Sequence, residues 1–125
     1  MNGETDSHAL IKELLNKHWA LRCELVGKQS VEDVINAAEN DYEANAIFKK
    51  TEGGADFDMA QALKTIAEAA VLTKTCIEIY KLRKGRWTLA ELEKDIRSTG
   101  VLERITKTVV SEKFAAILND LARLS

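Results

Sequence analysis

Proline is absent from all 125 residues of this chain, although it usually makes up about 5% of a protein. Proline interrupts helices and central strands, and it shapes many tight turns. Its absence therefore favours long helices that are joined by glycine and polar residues. The chain has 6 glycines, and its clearest predicted loop surrounds the pair Gly53 and Gly54, at residues 51–57. Asp56 or Asp58 is expected to cap the helix that follows.

Long apolar runs are also absent. No segment approaches the roughly 18 consecutive apolar residues that a membrane-spanning helix needs, so we expect no membrane insertion. The first residues lack the charged and then apolar layout of a signal peptide. The 2 cysteines, Cys23 and Cys76, stand alone outside any CxxC pattern, which is typical of reduced thiols in a cytosolic protein. We therefore predict a cytoplasmic protein without a structural disulfide.

The composition that remains is that of a folded domain, with 46% hydrophobic and 30% charged residues. The length fits one domain with one core. Charge is unevenly spread, since residues 1–58 hold 6 Lys and Arg against 12 Asp and Glu, and residues 59–125 hold 12 against 8. We predict a single all-α domain over residues 1–125, with an acidic helical half at 8–50, a glycine-containing loop at 51–57 and a basic helical half at 58–125.

Apolar residues recur every three or four positions along the chain, which is the period of amphipathic helices. The spacing predicts helices over about 8–26, 30–48, 58–84 and 88–100, with further helix after Gly100. The third helix is the longest, and its apolar face covers nearly half of the cylinder, as in a helix with neighbours on several sides. We therefore predict a compact bundle of about five helices around a long central third helix.

The first helix has two apolar stripes. The wider stripe, which we expect to face the core, holds Leu10, Ile11, Leu14, His18, Leu21 and Leu25. A flanking stripe holds Leu15, Trp19 and Val26. His18 is predicted to be a core histidine with one hydrogen bond, and Gly27 follows at the place of a C-terminal cap with positive φ.

Residues 101–125 carry two stripes in conflicting phase. Leu102, Ile105 and Val109 lie roughly opposite the stripe of Val110, Phe114, Ile117, Leu118, Leu121 and Leu124. A break near residues 106–111, where β-branched residues cluster, would let both stripes reach the core. One straight helix between two subunits is the alternative. We expect a homo-oligomer, most simply a dimer, because one of the stripes or the coiled-coil-like seam of the third helix otherwise lacks a cover.

No pattern in the sequence predicts catalysis, a metal or a cofactor. His8 and His18 are ten residues apart, and no HExxH or repeated ExxH motif occurs. Glu39 and Glu43 share a face of the predicted second helix, but no second acidic pair completes a magnesium site with them. Neither cysteine has neighbours that would lower its pKa, and no GxSxG turn is present. We therefore predict no catalytic residue, no bound metal and no cofactor.

The segment from Lys81 to Trp87 is the strongest candidate for binding a partner. Its charged and aromatic residues are Lys81, Arg83, Lys84, Arg86 and Trp87. The helix macrodipole favours cations at a helix C-terminus, and Trp87 with Leu92 forms a hydrophobic staple beside a capping box of Thr88 and Glu91. The same cluster is also able to bind phosphates while the indole stacks on a base.

Residues 88–109 extend this nucleic-acid alternative. Their Thr-Leu-Ala-Glu-Leu opening resembles that of many bacterial helix-turn-helix regulators, although Gly100 arrives about three residues later than the glycine of that motif. The resemblance implies a short helix, a turn and a second helix that carries Arg104 and Lys107.

The sequence therefore predicts a non-catalytic protein-interaction module, such as an adaptor, an inhibitor, an immunity-type antidote or an accessory subunit. It would act through charged helical surfaces, namely Glu39 with Glu43 and the Lys81–Trp87 segment. The expected partners are another protein and a second copy of the chain. The alternative is a nucleic-acid-binding regulator that uses the Lys81–Trp87 segment together with Arg104 and Lys107.

Overall fold

The computed structural model describes residues 6–51, 56–83 and 86–124, and every regular element in these ranges is helical. The elements are α1 (Ser7–His18), α2 (Ala20–Val26), α3 (Lys28–Glu39), α4 (Ala44–Thr51), α5 (Phe57–Arg83), α6 (Leu89–Ser98), a 3₁₀ turn (Leu102–Arg104), α7 (Thr108–Ser111) and α8 (Phe114–Arg123). The all-α class is confirmed for these ranges. The predicted count of about five is too low, because the described residues form seven helices of at least seven residues, and α7 adds a single turn.

The central position of the long helix is confirmed. α5 has 27 residues, which makes it about 40 Å long at 1.5 Å per residue. It packs against each of the other α-helices in the described ranges. Leu63, Ile66 and Leu72 are buried along it, and the buried alanines Ala67 and Ala70 allow neighbouring helices to approach its backbone closely.

A single hydrophobic cluster draws residues from every α-helix of the described chain. Its largest fully buried side chains include Trp19, Ile35, Ile47, Ile66 and Ile117. None of the described helices combines the length and the apolar character that crossing a membrane requires.

The first helix breaks at Trp19, which corrects the prediction of one continuous helix over 8–26. Trp19 has φ −132° and ψ 40°, outside the helical region. The residue is 2% exposed, and its indole Nε1 donates a hydrogen bond to the carbonyl oxygen of Val109 at 3.4 Å. The backbone leaves the helix at the residue whose large ring enters the core.

The break changes which face of α2 is buried. Cys23 and Val26 face the core, whereas Leu21 and Leu25 are exposed. The expectation that these two leucines continue the core-facing stripe of α1 is therefore wrong. A helical face keeps its phase only while the helix is continuous, and Trp19 ends that continuity.

Gly27 separates α2 from α3. Its φ of 91° confirms the expected positive value, and its ψ of 156° places it in a region that essentially only glycine occupies. This conformation lets α3 begin at the next residue, Lys28.

The predicted helix over 30–48 also divides into two. α3 ends at Glu39, and Asp41 follows with φ 64°, a left-handed conformation that aspartate tolerates better than most residues. The turn redirects the chain so that Ile47 on α4 is fully buried. Glu39 and Glu43 therefore lie on different elements, not on one helical face as predicted.

Two predicted helix starts are confirmed. The Asp56 side chain accepts a hydrogen bond from the Met59 N–H at 2.8 Å at the start of α5. Residues 52–55 of the predicted 51–57 loop lie outside the described ranges. Thr88 and Glu91 form both hydrogen bonds of a capping box at the start of α6. The staple partner Leu92 is fully buried, and Trp87 packs against the core.

The connection between the 3₁₀ turn and α7 is attached to the middle of α5 by Glu68, a residue that is only 2% exposed. Its carboxyl group accepts hydrogen bonds from the N–H groups of Thr106 at 3.0 Å and Lys107 at 2.9 Å, and from the Thr106 hydroxyl at 2.5 Å. These bonds fix residues 105–107 in a non-helical conformation.

This segment confirms the predicted break near residues 106–111. Leu102, Ile105 and Val109 pack against the core, and Val110 and Phe114 are buried. Both stripes are therefore covered inside one chain except at Leu124, which is exposed, so their phase conflict no longer requires a second subunit. The expected dimer stays a prediction, but it needs a different surface.

Candidate protein-interaction surface

Two cations of the Lys81–Trp87 segment make contacts within the chain. Arg83 Nε and one terminal nitrogen each lie 2.6 Å from an Asp95 carboxylate oxygen, which joins α5 to α6. Lys81 Nζ donates a hydrogen bond to the Ser7 hydroxyl at 2.8 Å. Arg86 is exposed, and Lys84 lies outside the described residues. The segment presents less unpaired positive charge than its sequence indicates.

Trp87 lies edge-on to Tyr80, with 5.7 Å between the ring centres. Its indole Nε1 is buried without a hydrogen-bond partner. The indole is only partly exposed, which leaves less of its surface for stacking on a nucleic-acid base.

Arg104 and Lys107 do not join the Lys81–Trp87 segment. Lys107 Nζ contacts the side-chain oxygen of Gln61, near the start of α5. Gln61 and Lys81 are about 30 Å apart along the helix axis at 1.5 Å per residue. Arg104 is exposed and donates a 3.4 Å hydrogen bond to the carbonyl oxygen of Thr99.

The implied helix-turn-helix is also absent from the described residues 86–109. Residues after Gly100 form one 3₁₀ turn at Leu102–Arg104 and then a non-helical stretch. The hydrogen bonds to Glu68 explain why no second helix forms there, since they use the backbone N–H groups of Thr106 and Lys107. The nucleic-acid alternative stays a prediction without this element.

Glu39 pairs with a histidine. His8 Nδ1 lies 2.9 Å from Glu39 Oε1, and His8 Nε2 lies 2.6 Å from Glu32 Oε1. The hydrogen bond with Glu39 is the main reason that the pKa of His8 is raised, with Glu32 adding to it against a smaller opposing effect of burial. Lys12 also contacts Glu32. This cluster ties α1 to α3, so Glu39 has a structural role in the packing.

A second histidine cluster ties α1 to α8. His18 Nε2 lies 2.6 Å from one carboxylate oxygen of Asp120, and Lys17 Nζ lies 2.7 Å from the other. Burial alone would raise the pKa of Asp120, but the hydrogen bonds from Lys17 and His18 outweigh it and lower the pKa. His18 thus has the hydrogen-bonded position that the sequence predicts.

Glu43 and Arg104 are the predicted residues that the structure brings to one place. Both line a polar cleft of about 480 Å³ between the α3–α4 turn, α5 and the 3₁₀ turn. Lys74 also lines it, and its ammonium group contacts Asp41 and lies 3.2 Å from Glu78. Acidic and basic groups alternate around this cleft, so it does not select strongly for ligands of one charge.

The cysteines have the chemistry of core residues. Burial raises the pKa of Cys23 to about 11, and burial also raises the pKa of Cys76. Thiols of this kind are poor nucleophiles near neutral pH, because the thiolate is the reactive form. No group of three or more metal-binding side chains occurs among the residues that the structure describes.

The most distinctive apolar surface is one that the sequence did not predict. Leu21 is 80% exposed and Leu25 is 49% exposed, and their four-residue spacing places them on one face of α2. Both line a groove of about 450 Å³, which we call the α2 groove; its lining consists of Leu21, Arg22, Leu25, Asp58, Gln61, Ala62, Thr65, Lys107 and Val109.

Charges flank the α2 groove on both sides. Arg22 on α2 and Asp58 in the first turn of α5 have no ion pair among the described residues. Lys107 lies against Gln61. The rim therefore offers the cations Arg22 and Lys107 and the anion Asp58, none of them ion-paired within the described residues, beside the apolar residues Ala62 and Val109.

The signal that would have revealed this surface was present in the sequence. Leu15, Trp19 and Val26 form the flanking stripe, and placing the large Trp19 ring in the core turns Leu21 and Leu25 outward. Periodicity alone favoured the stripe with more leucines, because it assumes one unbroken helix.

Comparison of the chain with protein-family models, with curated proteins and with solved structures finds no match.

Proposed function

We propose that the protein is a non-catalytic protein-interaction module that docks a protein partner in the α2 groove. The observation that carries the proposal is the contiguous apolar strip formed by Leu21 and Leu25 above Ala62 and Val109. Full burial of one leucine side chain contributes about 1.5–3 kcal/mol. A partner that covers both leucines would gain much of this free energy.

Contiguity distinguishes these leucines from other exposed apolar residues. Leu82 is 76% exposed, but its neighbours along the chain are the cations Lys81 and Arg83. Single exposed leucines are normal on soluble proteins, whereas apolar residues grouped beside a groove with a polar rim mark interaction sites. The α2 groove has this arrangement, with Arg22, Asp58 and Lys107 around an apolar centre.

Charge also favours a protein as the partner. Nucleic acids bind to surfaces where several unpaired cations follow the phosphate backbone. At the α2 groove the anion Asp58 lies among the cations Arg22 and Lys107, and in the Lys81–Trp87 segment Arg83 is paired with Asp95. A mixed-charge rim around apolar side chains fits a protein surface better than a polyanion.

A photocrosslinking experiment tests the proposal. The full chain would carry p-benzoylphenylalanine in place of Leu21 and be expressed in the cells that naturally make it. We expect a discrete protein adduct after irradiation. The matched control places the same residue at Leu82, whose exposure is similar, and should yield no such adduct.

One further variant checks the result of the crosslinking experiment. Adding Leu25→Glu to the Leu21 crosslinking variant should suppress the adduct, because a buried carboxylate opposes docking. Equal labelling from positions 21 and 82, or no labelling from position 21, would contradict the proposed function.

A further inference from the structure

We infer that the protein docked in the α2 groove is a second copy of this chain, related to the first by a two-fold axis beside α2. This inference rests on the proposed function and names its partner. In a two-fold interface the same patch meets itself, so every group must find its complement within that one patch. The apolar side chains of the α2 groove meet this condition, and so do Arg22 and Asp58, while the third charged group, Lys107, already contacts Gln61 of the same chain.

The apolar condition is met by α2 and the groove beside it. Leu21 and Leu25 project from α2, while Ala62 of α5 and Val109 leave a recess next to them. A ridge and a recess on one surface are self-complementary when two copies approach in opposite directions. The leucines of each copy then enter the recess of the other, as ridges enter grooves between packed helices.

The charge condition is met by Arg22 and Asp58. Both line the α2 groove, and neither forms an ion pair with the other or with another described residue. A two-fold rotation places Arg22 of each copy on the side of Asp58 of the other, which makes two equivalent ion pairs. A strongly acidic or strongly basic partner would leave one of these charges opposed.

The area of the α2 groove sets the expected affinity of self-association. Stable complexes bury about 800 Å² on each partner, and two leucines with a shallow groove supply only part of this area. Self-association in the micromolar range is therefore expected, with neighbouring polar residues of α2 and α5 at the rim.

Sedimentation equilibrium of the purified full chain tests the inference from about 1 µM to about 500 µM, which spans the expected range of affinity. The native chain should shift from monomer to dimer as concentration rises. The variant L21E/L25E should remain a monomer throughout, and the control variant L82E should dimerise like the native chain. Circular dichroism would verify that all variants retain the same helix content.

Reversal of the rim charges tests the two-fold geometry itself. Arg22→Asp and Asp58→Arg should each weaken dimerisation by about tenfold, because each places like charges opposite one another twice per dimer. The double variant R22D/D58R should recover most of the native affinity. A double variant as weak as the single ones would overturn the proposed pairing, even if one substitution also perturbs the start of α5.

The outcomes separate this inference from the proposed function. A chain that stays monomeric at the highest concentration, or a dimer that survives L21E/L25E, overturns the inference. If the chain is monomeric and Leu21 crosslinks to a different protein, the interaction function stands and only the identity of the partner is wrong. A crosslinked homodimer from position 21, but not from position 82, supports both.

Discussion

The chain leaves the helical conformation at Trp19 and near Thr106, and at each of these two joints the apolar stripes of the sequence differ in phase. The two joints differ in which stripes are buried. At Thr106, three hydrogen bonds to Glu68 hold a short non-helical connection, and the stripes on both sides reach the core. At Trp19 the interruption is a single residue, and one stripe is turned outward. A longer connection allows the stripes before and after it to face the core together. After the one-residue break at Trp19, only the flanking stripe stays buried and the leucines of the other stripe are exposed.

This difference explains where an interaction surface remains. The C-terminal joint leaves Ile105 and Val109 packed against the core, while the N-terminal joint leaves Leu21 and Leu25 at the surface. The sequence predicted a dimer from the C-terminal stripes or from the seam of the third helix, whereas the exposed pair of leucines in the structure lies on α2.

The largest expected effect on stability is at Trp19, whose burial leaves Leu21 and Leu25 at the surface. Trp19→Ala should lower the free energy of unfolding by about 3–5 kcal/mol, because it removes a buried aromatic ring and leaves a cavity. Leu21→Ala, on the opposite face, should change it by less than about 0.5 kcal/mol. Urea denaturation at low micromolar protein concentration, where dimer is scarce, measures both values. Similar losses for the two variants would mean that Leu21 lies in the core.

Glu68 is the corresponding test at the C-terminal joint. Glu68→Gln should lower the free energy of unfolding by about 1.5–3 kcal/mol, since hydrogen bonds to a carboxylate are stronger than those to an amide oxygen. Amide hydrogen exchange should accelerate at Thr106 and Lys107, whose N–H groups bond to Glu68. Glu13→Gln on the exposed surface of α1 is the control and should change neither quantity. Unchanged exchange at both amides would show that other contacts hold this connection.

Gly27 tests how the orientation of α2 is held at its other end. Gly27→Ala should destabilise the fold by about 1–3 kcal/mol, because φ 91° and ψ 156° strain any residue with a Cβ atom. No atom lies within 4 Å of the position that this Cβ would take, so the cost comes from the backbone and not from a clash. Ser30→Ala, in the next helix, is the control. Equal stability of the two variants would contradict the conformation of this joint.

Two ionisable clusters should give opposite, smaller dependences of stability on pH. The pKa of His8 is raised above its ordinary value of about 6.5, so its stabilising effect is complete below that value and is lost as pH rises through the folded-state pKa. The effect should be below about 1 kcal/mol, as for other partly exposed pairs. His8→Asn should remove this slope in urea denaturation near pH 6–8. A native chain without the slope would contradict the contacts of His8 with Glu32 and Glu39.

The pKa of Asp120 is lowered, and the sign is therefore reversed. Its stabilising effect is present above the unfolded-state pKa of about 3.9 and is lost as pH falls through the folded-state pKa. Asp120→Asn should flatten the acid side of the stability profile and leave the His8 slope intact, which separates the α1–α8 cluster from the α1–α3 cluster.

The smallest expected effect is at Arg86, in the Lys81–Trp87 segment that the sequence indicates as a binding surface. Arg86→Gln should change stability by no more than about 0.5 kcal/mol, since the residue is exposed. It should also leave dimerisation unchanged. Salt-sensitive retention of the native chain on heparin that Arg86→Gln abolishes would instead favour the nucleic-acid alternative.

Features that depend on local interactions follow from the order of the residues alone. The all-α class follows from helical periodicity and the missing proline, and the capping box at Thr88 follows from two residues three positions apart. The central position of α5 follows from an apolar face too wide for one neighbour. The positive φ of Gly27 and the cap at Asp56 are local in the same sense.

Features that depend on competition between distant residues are set by the packing of the helices. Whether Trp19 or Leu21 enters the core depends on space next to Val109, 90 positions away. The pairing of Arg83 with Asp95, the contact of Lys107 with Gln61 and the attachment of residues 105–107 to Glu68 join separate helices. The candidate surface was therefore missed, because periodicity describes the faces of one continuous helix and contains no information about which face its neighbours will cover.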